Sequence, residues 1–158
     1  LGGVDYASPG HGLLLLHANN AITFDLAAIR QTNPNERLGQ FRAVIANVAS
    51  ERQITGRLEG GDVWVLVDGR ERYKRRQITN WSGVLPVVVS LAQSDRYLTL
   101  AATDGGREFG GVWIMFGDPR IELLSAEKKK VGRPKTPGKA AVDSTYGNRE
   151  KNGMGEER

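Results

Sequence analysis

Three carboxylic acids stand beside glycine turns late in the chain: Asp104 and Glu108 in TDGGREFGG, and Asp118 in FGDPR. Two carboxyl groups flanking a glycosidic bond suffice for acid–base hydrolysis, so this trio could supply a catalytic pair. Acids next to glycine are also the ordinary material of turns. The rest of a catalytic kit is thin. There is no Cys, only His11 and His17 offer imidazoles, and GxSxG, HExxH and a glycine-rich phosphate loop are all missing. The sequence therefore reads as non-enzymatic, with no catalytic residue and no metal ligand set.

Ligand binding asks for less. A sugar presents arrays of hydroxyls and an apolar C–H face, which a site meets with bidentate polar groups and an aromatic platform on rigid loop ends. His17, Asn19, Asn80, Trp81, Asp104, Arg107 and Trp113 are the right residue types, and several fall at expected strand ends. Trp81, among the turn residues of ITNWSG, reads as the tryptophan with an open face. Trp64, inside VWVLV, reads as core. Trp113 in GGVWIMF has two readings, buried beneath the loop or exposed on it, and the first would have it close the core with Asp104 and Arg107 at the rim. His17, taken alone, also fits a hydrogen-bonded structural histidine.

Strands must position these groups. Ile22, Phe24 and Leu26 alternate with Ala21, Thr23 and Asp25, and Leu98, Leu100 and Ala102 alternate with Tyr97, Thr99 and Ala101. DVWVLV is apolar on both faces, as suits a central strand, and Asp68-Gly69 is a two-residue hairpin turn into RERYKRRQI. That return strand should put Arg70, Arg72, Lys74 and Arg76 on one face and Tyr73 and Arg75 on the other, a charge load that belongs at a solvated edge. VLPVVVSLA reads as a strand whose Pro86 is tolerable near its start or at an edge. FRAVIANVA fits helical and strand spacing alike, and its β-branched residues favour a strand. WIMF and RIELL read as two further strands separated by a Gly-Asp-Pro turn. One short helix is expected around Leu26 to Gln31, ended before Asn33-Pro34. Some eight short strands with turn signals between them make an all-β, jelly-roll-like antiparallel sandwich of two sheets.

The organisation changes at Ser125. The chain has 22 Lys/Arg against 18 Asp/Glu in its 158 residues, a net charge of +4, but nine of the basic and five of the acidic residues lie from Ala126 onward. Residues 1–125 are thus neutral and read as one sandwich domain. Residues 126–158, with scattered Gly and Pro and no apolar periodicity, read as a disordered basic tail. Within it, KKKVGRPKTPGK resembles a degenerate AT-hook, which would set Lys130, Arg133 and Lys135 against the narrow minor groove of A·T-rich DNA. Nucleic acid is therefore the alternative partner. A structural or protein-interaction sandwich is the third reading. No apolar run approaches the ~20 residues that span a bilayer. The chain begins at Leu1 with no initiator Met and no leader pattern, and reads as part of a longer protein.

Taken in order, GLLLLHANNAITFDL, DVWVLVDGRERYKRRQI, YLTLAATDGG and WIMFGDPRIEL resemble the NPCBM family of carbohydrate-binding modules, first associated with glycoside hydrolases of family 98. The match spans roughly Gly10 to Leu124. It implies a jelly-roll sandwich without catalytic activity, attached to a larger chain, whose loop ends bind sugars. His17, Ala18 and Asn19 occupy the family's His-Ala-Asn motif; Asp104, Gly105, Gly106 and Trp113 occupy its Asp-Gly-Gly…Trp motif. The resemblance thus implies carbohydrate binding by His17, Asn19, Trp81, Asp104, Arg107 and Trp113, with carbohydrate and other domains of a longer chain as partners. It also implies an extracellular or cell-surface setting. Arg107 and Val112 stand where the family has acids. Related modules hold a structural calcium, and losing two carboxylates weakens the case for one here, so no cofactor is expected.

Overall fold

The computed structural model describes residues 2–49, 60–106 and 112–125. Arg107, Glu108, Lys130, Arg133, Lys135 and the expected tail 126–158 lie outside the described residues. Eight strands and one helix follow in the order β1 (Leu13–His17), β2 (Asn20–Asp25), α1 (Leu26–Thr32), β3 (Glu36–Asn47), β4 (Gly61–Val67), β5 (Arg70–Ile78), β6 (Leu85–Ser90), β7 (Tyr97–Thr103) and β8 (Trp113–Ser125). They form two four-stranded antiparallel sheets, ordered β1-β8-β3-β6 and β2-β7-β4-β5. The molecule is an all-β, jelly-roll-like sandwich. Among the described residues, no helix is long and apolar enough to cross a membrane.

Alternation decides which side chains fill the space between the sheets. Val63, Val65 and Val67 of β4, Leu98, Leu100 and Ala102 of β7, and Ile114 and Phe116 of β8 are all buried in one continuous core. Each fully buried Val, Leu, Ile or Phe among them contributes about 1.5–3 kcal/mol relative to exposure, so the shared core is what holds the layers together. FRAVIANVA is strand through Asn47, the second half of a β3 that pairs with both β6 and β8. Pro86 sits in edge strand β6, where its missing N–H breaks no ladder on the open side.

The helix begins where the periodicity of β2 ends. Asp25 caps it, its Oδ1 accepting from the backbone N–H of Ala27 at 2.8 Å and of Ala28 at 3.2 Å. Leu26 is then buried as the first helical residue, and Asn33 closes the helix by donating to the Ile29 carbonyl at 2.8 Å.

Three local expectations are corrected. WIMF and RIELL are one strand, not two. Gly117 pairs with Val44 and Arg120 with Arg42, so Asp118 and Pro119 together oppose Ala43 as a bulge, with Asp118 in the left-handed region at φ 47°. Asp118 is held there by its carboxylate, which accepts from Gly12 N–H at 2.9 Å and from His11 Nδ1 at 2.9 Å. Trp64 is half-exposed rather than core, because it points away from the other sheet while Val63 and Val65 point toward it. Its indole is covered instead by Lys74, whose Nζ lies 3.1 Å from the ring centroid. Finally, β5 does not sort its basic residues onto one face. A bulge at Glu71-Arg72 shifts the register, so Arg70 pairs with the inward Val67 and Lys74 with the outward Trp64.

Candidate functional site

Every strand runs opposite to its bonded neighbours, so the sandwich has two distinct ends. At one of them β1, β3, β5 and β7 end and β2, β4, β6 and β8 begin. His17 ends β1, Asn20 begins β2, Asn47 ends β3, Ile78 ends β5, Thr103 ends β7 and Trp113 begins β8, so all meet at this loop end. The described residues His17, Asn19, Trp81, Asp104 and Trp113, scattered over almost a hundred positions, therefore share it.

Two pairs are in direct contact. His17 and Trp113 are register partners across β1 and β8, and their rings meet edge to face at a centroid distance of 4.7 Å. Trp113 is half-exposed, which corrects the reading that it closes the core; Val112 and Ile114 on either side of it are the buried residues. In the second pair, Asn19 Nδ2 donates to Asp104 Oδ2 at 3.2 Å, while Asp104 N–H donates to Asn19 Oδ1 at 3.3 Å. Asn19 adopts φ 60°, a conformation Asn tolerates better than most residues. The corner Ala18-Asn19 carries the chain from one sheet to the other, and Ala18 N–H is tied to the Val112 carbonyl at 3.2 Å.

The Gly-Gly of the Asp104 loop has a specific use. Gly105 has φ 66°, and a Cβ there would sit 3.1 Å from Asp62 Oδ1, so a side chain would meet both strain and crowding. Gly106, at φ 76°, lets its N–H turn back to Asp104 Oδ1 at 2.9 Å. One Asp104 oxygen is thus fixed by backbone and the other by Asn19, leaving lone pairs on a half-exposed carboxylate.

Trp81 stands apart from these pairs. A turn in which Thr79 N–H donates to Ser82 Oγ at 3.0 Å presents its indole, which is 71% exposed. Among the described residues, no hydrogen bond or ring contact joins the Trp81 side chain to His17, Asn19, Asp104 or Trp113.

Asn47, which the sequence reading passed over, braces this end. It is only 2% exposed. Its Nδ2 donates to the Ile78 carbonyl at 3.2 Å, and its Oδ1 accepts from Ala49 N–H and Trp113 N–H, each at 3.1 Å. One amide thereby ties the segment before Trp81 to the strand start that carries Trp113. A polar residue inside an otherwise apolar strand is the signal that could have found it.

The other candidates separate. From Trp113 to Asp118, β8 advances roughly 16 Å, and Asp118 is engaged with His11 and Gly12 rather than with Asp104. Asp104 and Asp118 therefore do not form a carboxylate pair. Backbone donation from Gly12, followed by the His11 contact, holds the Asp118 carboxyl below the usual carboxylate range. Among the described residues, no group of three or more His, Asp or Glu side chains could hold a metal ion. A cavity of about 410 Å³ opens elsewhere, lined by Leu14, Ile22, Phe24, Leu98 and Ile121 among others. Its lining is nearly all apolar, so it offers little to a hydroxylated ligand.

No protein-family model matches the chain, and no curated protein matches its sequence. Solved structures do match its fold. A CBM51 module from Clostridium perfringens GH95, in complex with methyl-galactose, superposes with a TM-score of 0.56 at 19% identity, covering 70% of each chain. The tandem CBM51 modules of a family 98 glycoside hydrolase from Streptococcus pneumoniae give a TM-score of 0.58 at 12% identity, covering 75% of this chain and 33% of that one. CBM51-2 with GlcNAc and INT domains, from Clostridium perfringens ZmpB, gives 0.56 at 12% identity, covering 73% and 22%. The fold is thus that of carbohydrate-binding modules.

Proposed function

We propose that the chain is a non-catalytic carbohydrate-binding module, accessory to a larger protein, which receives a sugar at the loop end of its sandwich. The observation that carries this reading is the convergence of His17, Asn19, Asp104 and Trp113 from three separate segments into two touching pairs. Asp104 and Asn19 form a rigid polar couple for paired hydroxyls, and the half-exposed indole of Trp113 offers an apolar face to pyranose C–H groups. Trp81 stands at the same loop end, and Arg107, outside the described residues, is the further candidate that the sequence offers. The NPCBM resemblance supports this reading through its two motifs, and the structural neighbours add sandwiches recorded with methyl-galactose and GlcNAc.

A glycan array probed with the full chain, followed by calorimetric titration of any hit, tests the reading. Methyl-galactose and GlcNAc are the first free sugars to titrate. Binding that Trp113→Ala and Asp104→Ala each weaken supports it. Absence of binding to every glycan at millimolar sugar overturns it and leaves the fold standing.

A further inference from the structure

Strand β5 departs from the rest of the sandwich in charge. Residues 1–125 balance their acids and bases, yet the nine residues Arg70–Ile78 hold five basic side chains against the single acid Glu71. This strand is the outer edge of its sheet, and the edge of the other sheet on that flank, β6, has no charged residue. Among the described residues, no carboxylate lies within 4 Å of a basic nitrogen of Arg70, Arg72 or Arg75. Arg76 alone in the strand has such a neighbour, Asp62 at 3.9 Å. Nearby Asp68 is already engaged, accepting from Arg96 N–H at 3.0 Å and Tyr97 N–H at 2.8 Å.

Protection of the sheet edge does not by itself explain this charge. Two register shifts already interrupt β5, and Gln77 sits at φ 59°, which is enough to spoil pairing with another strand. Those same irregularities spread the cations around the edge. Arg70 and Arg75 pair with the inward Val67 and Val63, whereas Lys74 stands on the outer face with Trp64. Tyr73, half-buried against the core, holds the strand down between them. From Arg70 to Arg76 the row extends roughly 20 Å, and Arg96 lies beside the Asp68-Gly69 turn at its start.

We propose that the β5 edge is a binding track for an anionic polysaccharide, distinct from the loop-end site and independent of it. Guanidinium groups match sulfate and carboxylate bidentately, and a row of them favours a linear polyanion over a single charge. Polysaccharide is favoured over single-stranded nucleic acid by the aromatic groups nearby. Trp64 is half-buried and carries Lys74 over its ring at 3.1 Å, so the one aromatic on the outer face beside the row is already occupied by a cation rather than open for base stacking.

The test uses the full chain with three probes: heparin as a sulfated polysaccharide, alginate as a carboxylate-only one, and duplex DNA. Heparin, alginate or both should bind, with affinity falling as salt is raised, and which of the two binds identifies the anion read. The variant Arg70→Gln/Arg72→Gln/Arg75→Gln should lose about tenfold or more in that affinity with an unchanged circular dichroism spectrum. The tail variant Lys130→Gln/Arg133→Gln/Lys135→Gln should lose less than about threefold. Failure of both polysaccharides to bind overturns the proposal. So does an equal loss in the tail variant, or, in the tail variant itself, tighter binding of DNA than of either polysaccharide. Neutral-sugar titration of the β5 variant reads the loop-end site separately, so the two proposals fail independently.

Discussion

The two ends of the sandwich use the same polar residues in opposite ways. At the far end, where β2 passes into α1 and β4 turns into β5, acids are absorbed by backbone. Asp25 caps the helix, Asp68 accepts from Arg96 and Tyr97, and Asp95 accepts from Ala92 N–H at 2.7 Å. At the loop end, Asp104 takes one backbone N–H and shares its other oxygen with a side-chain amide, while Trp81 and Asn19 face solvent. The difference separates architecture from recognition: an acid whose partners are all backbone is fixing a turn, and one coupled to another side chain at a rim can exchange that partner for a ligand.

The strongest way to break this contrast is to remove the brace beneath the loop end. Asn47→Leu leaves three backbone groups without this partner, the Ile78 carbonyl and the N–H groups of Ala49 and Trp113, at about 1–3 kcal/mol for each group that stays buried and unpaired. A destabilisation of roughly 3 kcal/mol in urea unfolding, together with loss of glycan binding, is expected. Asp68→Ala strikes the far end. It frees two backbone N–H groups and puts Ala at φ 50°, so about 2 kcal/mol should be lost while sugar affinity stays unchanged. If affinity falls as well, the two ends are not independent. Asp104→Ala should show the reverse pattern, with about tenfold weaker binding and less than about 1 kcal/mol of stability lost.

Asp118 sharpens the comparison through pH. Its carboxyl is lowered in the folded protein, first by Gly12 N–H and then by His11, so its contribution is present above the ordinary carboxylate pKa. That contribution disappears as pH falls through the lowered value. Acid unfolding below about pH 4 should therefore be less steep in Asp118→Asn, which tolerates φ 47° and keeps an acceptor for Gly12. Titrating thermal midpoints of both proteins from neutral pH downward checks this, and parallel curves would remove the carboxylate from the account.

Much of the fold is legible in the sequence because side chains two apart share a strand face. Ile22 and Phe24, or Leu98 and Leu100, announce their orientation directly, and Asp68-Gly69 announces the hairpin. Alternation does not reveal what covers the other face. Trp64 reads as core because nothing in VWVLV shows that a lysine from the next strand will lie on its indole. The Gly-Asp-Pro segment reads as a turn because the glycine and proline signals are the same for a bulge, and only the partner strand distinguishes them. At the site, residue types were visible and their pairing was not. That Asn19 meets Asp104 depends on β2 pairing with β7, which sets Asn20 opposite Ala102, a property of topology rather than of spacing.

The crossing from β1 in one sheet to β2 in the other carries a mechanical consequence. Packed sheets stand about 10 Å apart, and the two residues Ala18 and Asn19 bridge them with almost no spare length. The corner works as a fixed gauge: lengthening it by one residue would leave the packed layers in place but shift Asn19 off its position beside Asp104, whereas a similar insertion at the far hairpin would only enlarge a surface turn.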